Sequence, residues 1–587
     1  MKKNFPGIKY QFIAFWGIAA AALVAAVAQM ARLAWVSDDA FISFSYARNL
    51  IRGSGLVYNI GERVEGYTNF LWTILISAGM KAGWNPVYFS IVSGIVFAAA
   101  TIILFSFTSW NHQRSMPGNR FFIPLTALAL CAHHEFNVYA TGGLETSLAT
   151  FLVSLLFVIL AFGGSRRSYL IAGFVAAVTM LNRPDGVLFV VMSFVYIILT
   201  QRGGWRKSII FLAPVIALYM PYWIWRFGYY GFFFPNTYYA KSIDLPYYEQ
   251  GWEYFRLYFE SYYGFLIFPL LLLVACVRYG KAVWGYFRPR FPVMEIPAEH
   301  SWLGPVMLGL LFSFVQIVFT IRIGGDFMFG RFFVVITPIL FCIIELLAFN
   351  VVQGGFTVIV AGVVVAAIFL RMDMFGTSTS VGYIADEYRL NTLRELTGPK
   401  MAGERLHALL AGVPLRVAFG GSQASLIYYL DPELAIEASS GLTDETIAHQ
   451  ALSTRGRPGH EKSPAMNYLM RRKVDLYISF SSSDERPFNK MMIYYTPARI
   501  LRYNNAVMSR LEGDPGIQFT VVPGVVDQFL AGIAHYPRSA VEKSYAELKP
   551  YYFDCTVDTA RENRFLEYLR KTSIHGTMSP EPAQKRP

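Results

Sequence analysis

Two adjacent carboxylates, Asp38 and Asp39, follow directly after the first long apolar segment, in the stretch WVSDDAFISFSYARN. A charge at the centre of a bilayer costs on the order of 2.5–3.5 kcal/mol on insertion scales, and less toward the interface. A pair of acids at the end of a membrane helix is therefore expensive and is a candidate functional site. A carboxylate in such a place can act as general base on an attacking hydroxyl.

Other polar and aromatic residues recur at the ends of later apolar segments, in the motifs TGGLET, LNRPDG, PNTYYAKS and GGDFMFGR. Each of them alone is typical of a helix cap or of a snorkelling side chain. Together they predict one cavity, because arginine and lysine bind phosphate oxygens and aromatic rings can stack on sugars. The candidates are Glu65, Tyr67, Asn69, Glu145, Arg183, Asp185, Asn236, Tyr238, Lys241, Asp326, Arg331 and, in the C-terminal half, His460.

The composition indicates a polytopic membrane protein. Of the 587 residues, 54% are hydrophobic and only 15% are charged, whereas soluble domains carry about 25% charged residues. The net charge of +12 comes from short basic clusters between apolar segments. Such clusters mark the cytoplasmic side and do not form a nucleic-acid-binding face. The four cysteines include no C-x-x-C pair, so zinc or thiol redox chemistry is not supported.

Apolar segments and the positive-inside rule together predict a topology of about eleven crossings. The N-terminal lysines are inside, so the acidic pair lies outside in a first outer loop, 36–85. The stretch 67–83 is too short to cross and is predicted to lie along the outer interface. An odd number of crossings places the C-terminal region outside as well. The predicted spans are 11–35, 86–110, 121–133, 146–163, 168–182, 186–200, 208–226, 260–277, 302–320, 332–349 and 355–371.

The chain after the last span predicts a separate domain. The transmembrane domain is expected to cover 1–371 and a soluble α/β domain 372–577, with a disordered polar tail at 578–587. Residues 416–419 predict a strand, 420–422 a turn, 423–430 a helix, and 474–480 a second strand.

These motifs resemble those of a known family. An acidic pair after the first helix, an interfacial helix and an outer C-terminal domain are similar to the C-type glycosyltransferases, which are inverting enzymes that use polyprenyl-phosphate sugars. The strings DDAFISFSYARNL, GERVEGYTNFLW, TGGLET, NRPDG, PNTYYAKS, GGDFMFGRF, GLTDETIAHQ and GRPGHEK more narrowly resemble bacterial terminal β-(1→2)-arabinofuranosyltransferases. The resemblance implies a multi-pass protein of the bacterial inner membrane with its active site on the periplasmic side.

The resemblance also implies roles for the candidates. Asp38 is the expected general base, and Asp39 would support it, bind the acceptor or help to hold a divalent metal. The donor phosphate would be bound by Lys241, Arg183 and Arg331. The sugar would be contacted by Glu65, Tyr67, Asn69 and Asn236, and His460 could close over the site. The expected partners are a polyprenyl-phosphate sugar, with arabinofuranose as the sugar that the resemblance implies, an envelope glycan acceptor and membrane lipid.

Two other classes of function stay open at this point. A transporter or flippase for a lipid-linked sugar would favour charges in the middle of spans and inverted repeats. No internal repeat is found, and the candidate charges cluster at one face. A non-catalytic protein of the envelope or of flagellar-motor assembly would use the C-terminal domain to bind a partner. Normal function with both aspartates neutralised would support that last hypothesis.

Overall fold

The computed structural model describes residues 7–116, 119, 121–200, 203–287, 301–352, 356–479 and 489–575. The fold divides into two compact units, and each is described by itself. The first unit comprises Met1–Leu396 together with Leu442–Lys462, and it holds the apolar helices. The second comprises Thr397–Gly441 and Ser463–Pro587, and it holds a six-stranded sheet.

Five helices of the described residues are long and apolar enough to cross a membrane. They coincide with five of the predicted spans, and their presence agrees with a multi-pass membrane protein. Asn85 begins the second of them by accepting a hydrogen bond from the backbone N–H of Val87 at 3.0 Å, and Pro86 occupies the first turn. The five are Lys9–Arg32, Pro86–Ser115, Gly204–Tyr230, Tyr263–Gly280 and Leu303–Ile323.

Other predicted spans correspond to shorter helices of 14 to 17 residues. At 1.5 Å per residue these are about 21–26 Å long, less than the roughly 30 Å of a hydrocarbon core. The number of crossings therefore stays a prediction. These helices are Thr146–Phe162, Arg166–Asn182, Val187–Thr200, Thr337–Val351 and Phe356–Phe369.

The predicted span 121–133 differs most from the structure. Only Leu125–Ala132 is helical there, which gives about 12 Å of length. The backbone of His133 is extended (φ −81°, ψ 112°), and a separate short helix, His134–Val138, follows it. The break arises where the ring nitrogen Nδ1 of His133 caps the second helix by accepting from the N–H of Phe136.

The first loop contains two helices where the sequence predicted one. Phe70–Lys81 occupies the stretch predicted to lie along the interface, and its 12 residues are too few to cross a bilayer. Ala40–Ile51 begins immediately after the acidic pair and was not predicted. Its apolar residues have the spacing of a buried helix, but the charges around it resemble those of a solvated loop.

The long apolar segment that begins at Tyr263 consists of a 3-10 turn, Tyr263–Leu266, and the helix Ile267–Phe287. The remaining elements of the first unit are short, apart from Tyr248–Ser261. They are the helices Asn236–Ala240, Arg331–Val334 and Glu445–Ala448, with 3-10 turns at Pro184–Gly186 and Glu387–Arg389. Two very short antiparallel strands, Ser380–Val381 and Ile384–Ala385, pair with each other.

The second unit combines a six-stranded sheet with α-helices. Its sheet runs in the spatial order Leu434–Glu437, Arg416–Gly420, Leu476–Ser479, Thr496–Ile500, Lys490–Ile493 and Ile517–Phe519. The first three strands are parallel and the last three pair antiparallel. Its α-helices are Thr397–Leu409, Ala424–Leu430, Met466–Arg471, Asn505–Leu511, Val522–Ala531, Arg538–Leu548, Asp554–Thr556 and Thr559–His575, with a 3-10 turn at Ile533–His535 and a π-helical turn at Lys549–Phe553.

The predicted domain boundary at 371/372 does not coincide with this division. Residues 372–396 belong to the first unit because they pair with it: Met328 forms a β-bridge to Ala385, and Trp35 forms one to Thr392. Leu442–Lys462, here called the insertion, also folds with the first unit although its flanking residues belong to the second. The predicted strand end at 480 and the predicted disordered tail 578–587 lie outside the described residues.

Candidate active site

The backbone around the acidic pair is held from two sides. The N–H of Ser37 donates to the carbonyl of Gly142 at 3.0 Å, and the N–H of Val36 donates to the carbonyl of Asn391 at 3.3 Å. Asp38 follows directly and is buried, with 7% of its surface exposed. The pair is therefore placed by backbone hydrogen bonds to segments about 100 and 350 residues away in the chain.

Asp39 occupies the N-cap position of helix Ala40–Ile51. Its carboxylate makes no capping hydrogen bond, and no ion pair to it occurs within the described part of the chain. The partial positive charge of a helix N-terminus stabilises an anion at this position. The carboxylate of Asp39 therefore lies at the start of this helix without a capping bond of its own.

The TGGLET loop approaches the acidic segment so closely that glycine is needed. A Cβ at Gly143 would lie 2.8 Å from Cγ1 of Val36 and 2.9 Å from Cβ of Ala40, and its φ is +76°. Both the space and the left-handed backbone exclude a side chain. The pair of glycines in this motif therefore sets the distance between the loop and the start of the helix that carries Asp39.

Glu145 joins three predicted site residues in one network. Its carboxylate accepts from Nδ2 of Asn69 at 3.0 Å, from Nη1 of Arg183 at 2.6 Å and from Nη2 of Arg331 at 3.2 Å. Burial opposes the charge, but Arg331 and Arg183 outweigh it and hold the pKa of Glu145 at about 2. Glu145 is therefore an ionised, buried structural centre.

Both arginines of this network also have a second carboxylate partner. Arg183 binds Asp185 through Nε and Nη2, each at 2.9 Å, and Arg331 lies 3.3 Å from Asp326. The guanidinium of Arg183 stacks 5.1 Å from the ring centre of Phe332. The structure thus brings Asn69, Glu145, Arg183, Asp185, Asp326 and Arg331 together, and it neutralises both predicted phosphate-binding arginines.

Glu65 and Tyr67 lie in a second, aromatic group. Glu65 pairs with Arg226, which the sequence analysis missed, at 2.8 Å, and Arg226 also donates to the carbonyls of Phe232 and Phe233. Burial raises the pKa of Glu65 to about 7 despite this pairing. The hydroxyl of Tyr67 lies 3.2 Å from that of Tyr230. A lone arginine inside an apolar helix was the signal available for Arg226.

Asn236 and Tyr238 lie on the short helix Asn236–Ala240, which leads to Lys241. Nδ2 of Asn236 donates to the carbonyl of Leu442 at 3.0 Å, and the ring of Tyr238 stacks on Phe234 at 4.3 Å. Lys241 is half-buried. Within the described residues no carboxylate lies close enough to Lys241 for a salt bridge.

His460 is half-buried and not an exposed loop residue. It ends the turn Arg457–His460, here called the RPGH turn, in which the N–H of His460 donates to the carbonyl of Arg457 at 2.9 Å. Its ring packs edge-on against Phe327 at 4.7 Å. The guanidinium of Arg457 lies 4.9 Å from the centre of the same ring. Two side chains of the turn therefore pack against Phe327, which follows Asp326 in the chain.

Glu387 is a buried carboxyl that the sequence analysis also missed. It accepts from Nδ2 of Asn391 at 2.7 Å and lies 3.4 Å from Nη2 of Arg457. Burial, then the charges of Asp39, Asp38 and Asp326, raise its pKa to about 7, although Arg457 opposes the shift. Asn391, which donates to Glu387, also accepts from the N–H of Val36 close before the acidic pair. Nothing in the local sequence ADEYR distinguished it from a surface acid.

The described residues offer no third protein ligand to a metal ion bound by Asp38 and Asp39. Among the described residues, no group of three or more His, Cys, Asp or Glu side chains is arranged to hold a metal ion. The group at hand is instead a mixture of acids, arginines and aromatic rings, which suits a polar substrate with a proton to lose and an anionic part to bind.

No family model matches the chain. Among curated proteins, it is 30% identical to the terminal β-(1→2)-arabinofuranosyltransferase of Mycobacterium tuberculosis, over 53% of this chain and 51% of that protein. It is 28% identical to the enzyme of the same name from Corynebacterium glutamicum, over 56% of this chain and 50% of that protein. The chain thus spans about half the length of the curated relatives it matches. The predicted resemblance to these transferases is confirmed.

The comparison with solved structures found ArnT from Cupriavidus metallidurans bound to undecaprenyl phosphate. The match has a TM-score of 0.49 and 13% identity, and it covers 83% of this chain and 97% of that chain. The apo form of the same protein matches with a TM-score of 0.39.

Proposed function

We propose that the protein is an inverting glycosyltransferase that moves a sugar from a polyprenyl-phosphate donor to an envelope glycan. The proposed sugar is arabinofuranose. The observation that carries this proposal is the similarity to two terminal β-(1→2)-arabinofuranosyltransferases. The placement of Asp39 at a helix N-terminus beside a buried network of acids and arginines supports it.

In this reaction an acceptor hydroxyl attacks the anomeric carbon as the bond to the phosphate oxygen breaks. The electron pair of that bond goes to the phosphate, which leaves as polyprenyl phosphate. The hydroxyl proton goes to a carboxylate of the acidic pair, a transfer worth typically ~10²–10⁴ in rate. Asp38 is buried and Asp39 is half-buried, and single variants decide which of the two accepts the proton.

The proposal includes the predicted topology. The acidic pair and the C-terminal α/β domain would face the periplasm, helix Phe70–Lys81 would lie along the outer interface, and about eleven segments would cross the inner membrane. This orientation suits a lipid-linked donor, since its sugar is displayed at the outer interface where the acidic pair would lie.

The test uses the purified full-length protein with a panel of synthetic polyprenyl-phosphate sugars and an arabinan acceptor. Mass spectrometry follows the glycan product and the released polyprenyl phosphate. We expect transfer from the arabinofuranosyl donor, and its loss in Asp38→Asn or Asp39→Asn protein that elutes and melts like wild type. Asp554→Asn, a change at an exposed carboxylate of the second unit, is the matched control.

The result also separates the other two classes of function. A flippase would move the donor across vesicle membranes without releasing polyprenyl phosphate. A non-catalytic assembly protein would show no turnover with any donor and would support normal growth with both aspartates neutralised.

A further inference from the structure

Two of the three cations predicted to bind the donor phosphate are already paired with carboxylates. Arg183 is held by Asp185 and Glu145, and Arg331 by Glu145 and Asp326. The side chains of both arginines are largely buried in this network. Binding a phosphate there would separate buried ion pairs, and removing one partner of such a pair typically costs about 3–5 kcal/mol.

Lys241 is differently placed. Within the described part of the chain it has no carboxylate in salt-bridge range. Its alkyl chain runs beside Gly459, where an added Cβ would lie 3.7 Å from Cε of the lysine. The ammonium group of Lys241 is therefore next to the RPGH turn.

Arg457 belongs to the same turn and is only weakly paired. Its contact with Glu387 is 3.4 Å long, its side chain is 41% exposed, and its Nε has no hydrogen-bond partner among the described residues. A guanidinium has five N–H donors; the Nε donor of Arg457 is buried, so a ligand would be bound through the Nη donors. The ring of Phe327 beneath it fixes the plane of the guanidinium.

The turn places Arg457 two residues from Gly459, the residue that Lys241 lies beside. Pro458 fits the second position of a type II turn, and Gly459, with φ of +79°, fits the third, which requires a left-handed backbone. The turn sets Arg457 on one side and leaves Gly459, which lacks a side chain, against Lys241. A residue larger than glycine would be strained here and would crowd the lysine.

Resting on the function proposed above, we propose that Lys241 and Arg457 together bind the phosphate of the polyprenyl donor, with Arg457 supplied by the insertion Leu442–Lys462. The donor is a phosphodiester with one negative charge, and the departing polyprenyl phosphate carries about two near pH 7. Two cations favour the form with more charge. The pair therefore stabilises the leaving group as the anomeric bond breaks.

The test measures binding and does not depend on turnover. Full-length protein in nanodiscs is titrated with undecaprenyl phosphate, and with undecaprenol as the uncharged comparison. We expect Arg457→Gln and Lys241→Met each to weaken binding of the phosphate about tenfold, equivalent to about 1.4 kcal/mol, because each removes a charged hydrogen-bond donor. Undecaprenol binding is expected to be unchanged. Arg457→Lys should retain most of the affinity, and Arg538→Gln, an exposed arginine of the second unit, is the charge control.

Glu387→Gln separates phosphate binding from a structural role of Arg457. If Arg457 serves only to pair with Glu387, removing either partner has the same effect. If Arg457 binds phosphate, Glu387→Gln frees it and binding of undecaprenyl phosphate is kept or tightened. Equal losses in Arg457→Gln and Glu387→Gln, or an Arg457→Gln protein with wild-type affinity, would overturn the inference.

The inference and the proposed function can fail separately. Wild-type sugar transfer with unchanged phosphate binding in Arg457→Gln removes Arg457 from the site and leaves the transferase intact. Conversely, phosphate binding that depends on Lys241 and Arg457, in a protein that transfers no sugar from any donor, keeps the phosphate site and rejects the transferase.

Discussion

Nη1 of Arg183 lies 2.6 Å from Oε1 of Glu145, and the same carboxylate oxygen accepts from Arg331 at 3.2 Å. Three motifs that are far apart in the chain, TGGLET, LNRPDG and GGDFMFGR, therefore meet at one oxygen atom. Two arginines on one carboxylate explain why its pKa is held at about 2 despite complete burial. This junction stabilises the fold, and substitutions at its residues test that role.

Glu145→Gln is expected to destabilise the protein strongly. The substitution leaves Arg331 with Asp326 and Arg183 with Asp185 but removes the shared anion between two buried guanidinium groups. Uncompensated buried charge costs about 3–5 kcal/mol. Thermal unfolding in detergent, followed by intrinsic fluorescence, should show a clear drop in Tm. Asp185→Asn, at the more exposed carboxylate, should lower Tm less. Equal Tm values for wild type and Glu145→Gln would contradict this reading of the network.

Gly143→Ala is expected to reduce both stability and transfer. The added methyl would lie 2.8–2.9 Å from Val36 and Ala40 in a backbone with φ of +76°. The start of the helix that carries Asp39 must then move, and overpacking of this kind typically costs about 1–3 kcal/mol. Gly61→Ala also has a positive φ but open space around it, and is the control for backbone strain alone. A kcat as low in Gly61→Ala as in Gly143→Ala would rule out the steric explanation.

Glu387 predicts a specific dependence of stability on pH. Its pKa in the folded protein, about 7, lies above the ordinary value of 4.5 for a glutamate. The folded state therefore binds a proton between these pH values that the unfolded state has released. The contribution of Glu387 to stability is then fully present below about pH 4.5 and is lost as the pH rises to about 7. Glu387→Gln cannot ionise, so its Tm should decline less than that of wild type between pH 5 and 8. Parallel Tm profiles would contradict the raised pKa.

The pair of Glu65 and Arg226 is expected to show coupling in a double-mutant cycle. Arg226→Met leaves a buried carboxyl without its partner and frees the carbonyls of Phe232 and Phe233. The single variant should lose about 3–5 kcal/mol. Adding Glu65→Gln should recover part of the loss, because the amide is neutral. The measurement is thermal unfolding of all four proteins, and additive losses would indicate that the two side chains do not interact.

The sequence predicted helices better than it predicted loops. Long apolar runs have one stable structure in a membrane, so the five long helices were expected, including Pro86–Ser115 and Leu303–Ile323. The helix Ala40–Ile51 was missed because its charged neighbours resemble those of a loop. The break at His133 was missed because it depends on a side-chain cap that composition does not reveal.

The site residues likewise divide into features that the local sequence predicts and features that only tertiary contacts determine. The sequence by itself determined which charged side chains lie close to a membrane segment, where a charge is energetically unfavourable. Asp38, Asp39, Glu145, Arg183 and Arg331 were selected as site candidates for that reason. Only the tertiary structure decided which of these charges neutralise one another. It paired both arginines with carboxylates, and it paired Glu387 with Arg457, two residues from beyond the last apolar helix. Charge pairing depends on distances between segments hundreds of residues apart, and those distances are set by packing and not by local sequence.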